Sequence, residues 1–149
     1  MTTTLTVEQK IDLVNRHARF ETTERYDEAW ETMHHSAVYD FLPAGIRLRG
    51  KEPIYEYWQR AFQITALQPL GEAVMRRWIR DEDLIIISEW PVKAADGSVQ
   101  TTRGIGIFTF IDDKIATETV IRDHILEPHM APVFNEEFLS RPGVERITT

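Results

Sequence analysis

Cysteine is absent from the 149 residues of the chain. Its absence excludes a disulfide framework, a thiol nucleophile and any cysteine-ligated zinc or iron–sulfur site. Basic residues are also few, 17 Lys and Arg against 24 Asp and Glu, which gives a net charge of −7. This acidic balance argues against binding to nucleic acid, because phosphate recognition needs a basic surface. The spacing of the 5 His is not that of a metal site, so no metal is expected.

Long apolar segments are missing as well. No run of 18 apolar residues occurs, and the first ten residues lack the basic start and apolar middle of a signal peptide. We therefore expect a cytoplasmic protein without a membrane partner. Glycine-rich phosphate loops and the Gly-x-Ser-x-Gly motif are absent too, so neither a nucleotide cofactor nor a serine nucleophile is expected.

The composition that remains is that of a globular protein rich in aromatic residues. Hydrophobic residues make up 42% of the chain, and 149 residues are typical of one domain, expected to span 1–149. The sequence holds 7 Phe, 4 Trp and 4 Tyr. Because a simple core needs fewer aromatic residues, we expect some of them to line a cavity.

Apolar residues at helical spacing predict three helices in the first half of the chain. The first helix starts at Thr6–Gln9, which form a capping box. The second covers about residues 26–34. The third opens at Gly50–Pro53 and is expected to bury an apolar stripe that includes Ile54, Tyr57 and Trp58. Residues 36–42, between the second and third helices, are predicted to form a strand.

The second half has the alternating pattern of strands. Four strands are predicted, joined by turns at residues 81–83, 96–97 and 112–113: 73–80, 84–93, 99–111 and 114–125. Gly104 and Gly106, on one face of the third of these strands, predict a bend or a close approach to that face, of which we expect the bend. Helices followed by an antiparallel meander predict an α+β fold. The tail, residues 127–149, is expected to wrap around the core as extended chain and a short helix.

The first helix carries a polar seam between two apolar stripes. Such a seam is typical of a helix that lines a cavity dotted with polar groups, but two narrow buried strips with a partly wet seam would give the same pattern. The seam consists of Lys10, His17, Glu21 and Glu24.

Two aspartates interrupt apolar strand faces. Asp40 lies between Tyr39 and Phe41 in the first strand, and Asp123 closes one face of the last strand. A buried carboxylate has a raised pKa, which suits a general base. The alternative is structural, with Asp40 capping the following turn and Asp123 pairing with Arg122 at the surface.

The order of the elements, the segment Ala37–Phe41 and the segment Gly50–Ile54 resemble the nuclear-transport-factor-like superfamily. This superfamily includes ketosteroid isomerase, SnoaL-type polyketide cyclases, limonene epoxide hydrolase and scytalone dehydratase. The resemblance covers about residues 7–126. It implies a cone, in which a curved antiparallel sheet and three helices enclose one deep apolar pocket, in a homodimer that needs no cofactor.

The resemblance also implies roles for particular residues. Similarity to ketosteroid isomerase gives Asp40 the position of the general base and His17 one near the oxyanion-stabilising tyrosine, while Gly106 stands where a second acid is found. Similarity to limonene epoxide hydrolase matches Tyr39 to a pocket tyrosine and Asp123 to a water-activating aspartate. SnoaL-type cyclases need only the base on the final strand, which Asp123 matches. Neighbouring strand residues point to opposite faces, so Tyr39 and Asp40 both enter the pocket only if the strand bulges or has ended.

These residues favour a cofactor-free isomerase, cyclase or dehydratase that acts on a medium-sized hydrophobic carbonyl compound. Asp123 or Asp40 would remove the proton alpha to the carbonyl. The other candidates would hold the enolate oxygen (His17, Tyr39 and Arg103) or bind the substrate (Glu21, Phe41, Trp58, Trp90 and Arg103). Two alternatives stay open. One is a non-catalytic dimer that binds a small hydrophobic molecule, with both aspartates salt-bridged at the rim; the other is a hydrolase in which Asp123 activates water.

Overall fold

A computed structural model describes residues 4–64, 74–80, 83–94 and 96–147. Residue 73, the first of a predicted strand, lies outside the described residues, as do residues 81–82 of the predicted turn. The described helices are α1 (Val7–Thr22), α2 (Tyr26–Glu31), α3 (Lys51–Ala61), α4 (Glu127–Met130) and α5 (Glu136–Leu139). The described strands are β1 (Met33–Leu42), β2 (Ile46–Arg49), β3 (Val74–Arg80), β4 (Asp83–Lys93), β5 (Val99–Ile111), β6 (Lys114–Arg122) and β7 (Val144–Arg146).

The strands form one curved, open sheet in the order β3-β4-β5-β6-β1-β2-β7. The predicted α+β class is confirmed, and so is the antiparallel meander from β3 to β6. The sheet is mixed rather than antiparallel throughout, because β1 runs parallel to β6. This pairing brings together two strands far apart in sequence and places the middle of β1 beside the middle of β6. Within the described ranges, no helix is long and apolar enough to cross a membrane.

Some element boundaries differ from those predicted. Helix α2 stops at Glu31, not near residue 34, and β1 begins at Met33. The short strands β2 and β7 were not predicted. Strand β2 returns from β1 as a hairpin, and β7 pairs with β2 at the edge of the sheet. Strands of three or four residues are defined by such pairing, because they are too short to show a period of their own.

Three of the four residues of the polar seam, Lys10, His17 and Glu21, face the interior of the protein, whereas Glu24 is exposed beyond the end of α1. Both hydrogen bonds of the capping box form between Thr6 and Gln9. The buried residues are Lys10, Leu13, Val14 and His17. By contrast Val7, which begins the stronger apolar stripe, is 44% exposed. The structure therefore favours the cavity-lining interpretation of this helix.

The third helix and the tail close the rest of the core. Helix α3 buries the stripe predicted for it, including Ile54, Tyr57 and Trp58. In the tail, α4 and α5 bury Met130 and Phe138 against the core. The wrapping tail was predicted with one short helix; it forms two, together with β7.

Candidate active site

A cavity of about 370 Å³ lies between α1, α3 and the sheet. Its wall is mostly apolar, with contributions from Val14, Phe62, Ile86, Trp90, Phe108 and Val120. Two groups of polar side chains interrupt this wall. The first consists of Glu21, Tyr39 and Glu118, and the second of Tyr57 and Arg122. Cavities of this size that are apolar with few polar groups are typical small-molecule sites.

The sheet register explains why these polar residues meet. Alternate residues of a strand share a face, so Glu118, Val120 and Arg122 of β6 all line the cavity. The parallel pairing of β1 with β6 puts Tyr39 directly beside Glu118. On the other side of β6, Phe108 of β5 is the partner of Glu118.

His17 lies behind the cavity wall, close to all three residues of the first polar group. Its side chain is 1% exposed. Its Nε2 lies 2.7 Å from the Tyr39 hydroxyl, 3.0 Å from Glu21 Oε1 and 3.7 Å from Glu118 Oε2. The Tyr39 hydroxyl donates to Glu21 Oε1 over 2.9 Å. Glu118 Oε2 is buried and accepts no hydrogen bond from the described residues.

The far side of the His17 ring fixes its protonation. Nδ1 lies 2.7 Å from the Thr32 hydroxyl oxygen and 3.3 Å from the Ala29 carbonyl oxygen. The Thr32 hydroxyl donates its proton to that same carbonyl, so Nδ1 carries a proton and donates. Tyr39 gives its single proton to Glu21, and therefore Nε2 of His17 must donate as well. This network stabilises the imidazolium form.

The pKa values agree with this assignment. Burial alone would lower the pKa of His17, but Glu21 and Glu118 outweigh burial and raise it to about 10. Burial raises the pKa of Glu118, and the charge of Glu21 adds to that, against the opposing effect of His17. Burial and the two carboxylates hold the pKa of Tyr39 well above its usual value. A cationic histidine thus lies behind the cavity wall, beside a glutamate that binds its proton more tightly than usual.

His17, Glu21 and Glu118 also have the chemistry of metal ligands. Within the described part of the chain they form the one group of three such residues, with ligand atoms within 4.8 Å of one another. A metal would have to displace the Nε2 proton of His17, and a pKa of about 10 means that this proton competes strongly at neutral pH. The expectation of a site without metal or cofactor stays a prediction.

Asp40 lies on the opposite side of β1 from the cavity. The strand is regular here, so Tyr39 and Phe41 face inward and Asp40 faces outward. The Asp40 carboxylate binds the Arg47 guanidinium of β2 through two hydrogen bonds of 2.6 and 2.7 Å. Of the two adjacent residues Tyr39 and Asp40, Tyr39 is therefore the one that faces the cavity.

Asp123 follows the end of β6 and holds the chain there. Its carboxylate accepts hydrogen bonds from the Thr102 hydroxyl and from the backbone N–H groups of Arg103, Ile125 and Leu126. Burial would raise its pKa, but these hydrogen bonds outweigh burial and lower it. A lowered pKa and fully engaged oxygens suit a structural cap better than a general base.

The remaining predicted residues divide between the wall and its surroundings. Trp90 lines the cavity. Trp58 is fully buried behind His17, with the ring centroids 5.6 Å apart. Phe41 lies in the core against Tyr57. Arg103 is exposed on the other face of the sheet, where it pairs with Glu89.

The cavity also contains three residues that were not predicted as site residues: Glu118, Tyr57 and Arg122. The signal for Glu118 was present, since it lies between the apolar residues Ala116 and Val120 on one face of β6. The opposite face, which Asp123 appeared to close, is more apolar and was taken for the inner one. Which face lines the cavity depends on the position of the helices, and strand periodicity does not contain that information.

Comparisons with known proteins agree with this architecture. Residues 14–118 match the family model of the SnoaL-like domain. No curated protein matches the chain. Among solved structures, a protein assigned as a SnoaL-like polyketide cyclase from Shewanella putrefaciens CN-32 is similar with a TM-score of 0.64 and 10% identity, covering 85% of this chain and 88% of that one.

Two further structures show the same fold. A protein assigned as an isomerase from Bacillus subtilis has a TM-score of 0.60 and 16% identity, covering 78% of this chain and 87% of its own. A de novo designed protein with a curved β-sheet has a TM-score of 0.65 and 11% identity, covering 88% and 98%. Identities this low show the fold alone, whereas the family model extends over most of the cavity-forming elements. The chain belongs to the SnoaL-like domain family.

Proposed function

We propose that this protein is an isomerase, cyclase or dehydratase that moves a proton at a carbon atom next to a carbonyl group, with Glu118 as the general base. One observation carries the proposal: a glutamate that is only 14% exposed and has a raised pKa forms part of the wall of an apolar cavity of about 370 Å³. A base whose pKa is closer to neutral than that of ordinary glutamate transfers protons more effectively at physiological pH.

The neighbouring residues suit this chemistry. Glu118 takes the proton alpha to the carbonyl, and the electrons of the C–H bond form an enolate. Negative charge thereby moves from Glu118 to the substrate, and the positive charge of the His17 imidazolium, which lies behind the cavity wall 3.7 Å from Glu118, stabilises the enolate. In an isomerisation Glu118 returns the proton to a different carbon. In a cyclisation the enolate carbon attacks a second carbonyl carbon, and the alkoxide formed there takes the proton from Glu118.

The contents of the cavity wall favour catalysis over simple binding. A non-catalytic binder is expected to have walls free of carboxylates and to keep its aspartates paired elsewhere. Asp40 is paired with Arg47, as that alternative requires. However, Glu21 and Glu118 both line the cavity and share a network with a charged histidine. Burying such a group is costly, and a binding site for a neutral molecule has no use for it.

Deuterium exchange tests the proposed base. The two-ring ketone 2-tetralone has acidic protons next to its carbonyl, and NMR in D₂O follows their replacement. We expect the protein to accelerate this exchange and Glu118→Gln to reduce the acceleration by about 10²–10⁴. Folding should survive, because glutamine has the size of glutamate and removes a charge that burial disfavours.

The matched control is Glu89→Gln, which makes the same change at the Arg103 ion pair outside the cavity. This variant should exchange deuterium like the wild type. Equal exchange by wild type and Glu118→Gln, with both proteins folded by circular dichroism, would contradict the proposal.

A further inference from the structure

The second polar group of the cavity contains a cation that has no anionic partner among the residues that the structure describes. Arg122 of β6 is partly buried and lines the cavity. Its Nη2 donates to the Tyr57 hydroxyl, and its guanidinium lies 5.2 Å from the centre of the Phe41 ring. Among residues 4–64, 74–80, 83–94 and 96–147, no carboxylate lies within ion-pair distance of it. Other partly buried arginines of the protein, such as Arg47 and Arg60, have such a partner.

The neighbouring strand β5 places no side chain of its own next to this cation. Across the β5–β6 ladder, Arg122 is the partner of Gly104, which has no side chain to cover it. A Cβ atom at Gly104 would lie 3.1 Å from the Trp90 ring. The indole of Trp90 therefore packs directly over the glycine, and the cavity continues to Arg122. Arg122 lies four positions after Glu118 along β6, which puts roughly 13 Å between their Cα atoms.

The cation and the proposed base thus act at different points of one cavity. Arginine presents several donors in a planar fork, and its natural partner is a carboxylate held by parallel hydrogen bonds. The first polar group does not simply repel an anion here, because the His17 imidazolium lies 3.0 Å from Glu21 and 3.7 Å from Glu118 and offsets part of their negative charge.

We infer that Arg122 and Tyr57 form a binding site for a carboxylate on the substrate, at the other end of the molecule from the carbon that Glu118 deprotonates. The carboxylate site itself does not depend on the proposed function. Only its position relative to the carbon that Glu118 deprotonates rests on that function. It defines the substrate class more narrowly than a neutral ketone: a mostly apolar, ring-bearing keto acid that carries its negative charge at one end. The aromatic residues Phe62, Trp90 and Phe108 face the apolar middle of such a molecule.

A pair of probes that differ only in charge tests this site. The probes are 2-naphthoate and 2-naphthamide, and binding is followed by isothermal titration calorimetry at neutral pH. We expect the wild type to bind naphthoate about tenfold more tightly than naphthamide, or better, because a charge-assisted hydrogen bond replaces a neutral one. Arg122→Met should remove this preference and leave naphthamide binding nearly unchanged.

The control is Arg103→Met, which deletes a guanidinium on the other face of the sheet and should keep the preference for naphthoate. Tyr57→Phe removes one donor and should weaken naphthoate binding by a smaller factor. The comparison of the two probes on wild-type protein needs no variant, so the inference remains testable if Arg122→Met does not fold. A wild type without preference, or a folded Arg122→Met that retains it, would overturn the site.

Glu118→Gln separates this inference from the proposed function. If both hold, that variant loses deuterium exchange but still binds naphthoate in preference to naphthamide. Loss of the charge preference in wild type with normal exchange would overturn the carboxylate site alone. Normal exchange in Glu118→Gln with an intact charge preference would overturn the base alone.

Discussion

His17 is a charged side chain in the interior of the protein, and its charge stabilises the folded state only over part of the pH range. Its pKa is about 10 in the folded protein, against an ordinary value of 6.5 for histidine. A raised pKa of a basic group means that the folded state binds the proton more tightly than the unfolded state. The resulting stabilisation is complete below about pH 6.5 and is lost as the pH rises through 10. Glu118 adds to this loss of stability with rising pH, and its contribution begins at lower pH, because its pKa is also raised.

The free energy of unfolding should therefore fall between pH 7 and pH 10. Urea denaturation followed by circular dichroism at pH 6.5, 8 and 9.5 measures it. In His17→Gln the fall should be much smaller, and the stability at pH 6.5 should be lower by about 3 kcal/mol, because two buried carboxylates lose their counter-charge. His124→Gln changes an exposed histidine and should behave like the wild type. A wild type whose stability is constant from pH 6.5 to 9.5 would contradict the charged form of His17.

At the scale of the element, β5 shapes the cavity through its glycines. The spacing of Gly104 and Gly106 predicts a bend, but in the structure they also admit aromatic rings. A Cβ atom at Gly106 would lie 2.8 Å from the Phe108 ring, closer than real Cβ atoms approach. The rings of Trp90 and Phe108 thus lie over the two glycines and narrow the cavity without filling it.

Gly106→Val should crowd the cavity and displace Phe108. Overpacking of this kind costs about 1–3 kcal/mol, and the added methyl groups should weaken 2-naphthamide binding. Urea denaturation and calorimetry measure the two effects. Thr101→Val places the same side chain at an exposed position of the same strand and should leave both unchanged. Unaltered stability and binding in Gly106→Val would show that the space over Gly106 is not part of the cavity.

The same strands show how far sequence patterns reach. Helix starts, the stripe of α3 and the two faces of β4 follow from local spacing, so they were predictable. The site was not, because Glu118 meets Tyr39 only through the parallel pairing of β1 and β6, which joins residues 79 positions apart. Asp123 and Asp40 looked like bases because a carboxylate among apolar residues resembles a buried one. Thr102 and Arg47, the partners that engage them, are likewise set by strand pairing.

At the scale of the molecule, the outer face of the sheet carries an apolar patch on β4, β5 and β6. The residues opposite to the cavity-lining positions include Ile85, Ile87, Ile107 and Ile121, and all of them are partly exposed. Strand pairing joins them into a patch, since Ile85 is the ladder partner of Ile107. The ion pair of Arg103 and Glu89 lies beside the patch, as polar residues do at the rim of an interface. Monomeric proteins rarely leave such a contiguous apolar surface in water.

The homodimer that the family resemblance implies stays a prediction, and this patch is the surface we expect it to use. A two-fold axis through the sheet would bring the isoleucines of both copies together and remove them from water. Ile107→Lys should then give a monomer in size-exclusion chromatography with light scattering, because each dimer would bury two unpaired charges at its centre. Val7→Lys, at a 44% exposed position on α1, makes the same change away from the sheet and should leave the dimer intact. A monomeric wild type, or an Ile107→Lys protein that still dimerises, would mean that the outer face is not the interface.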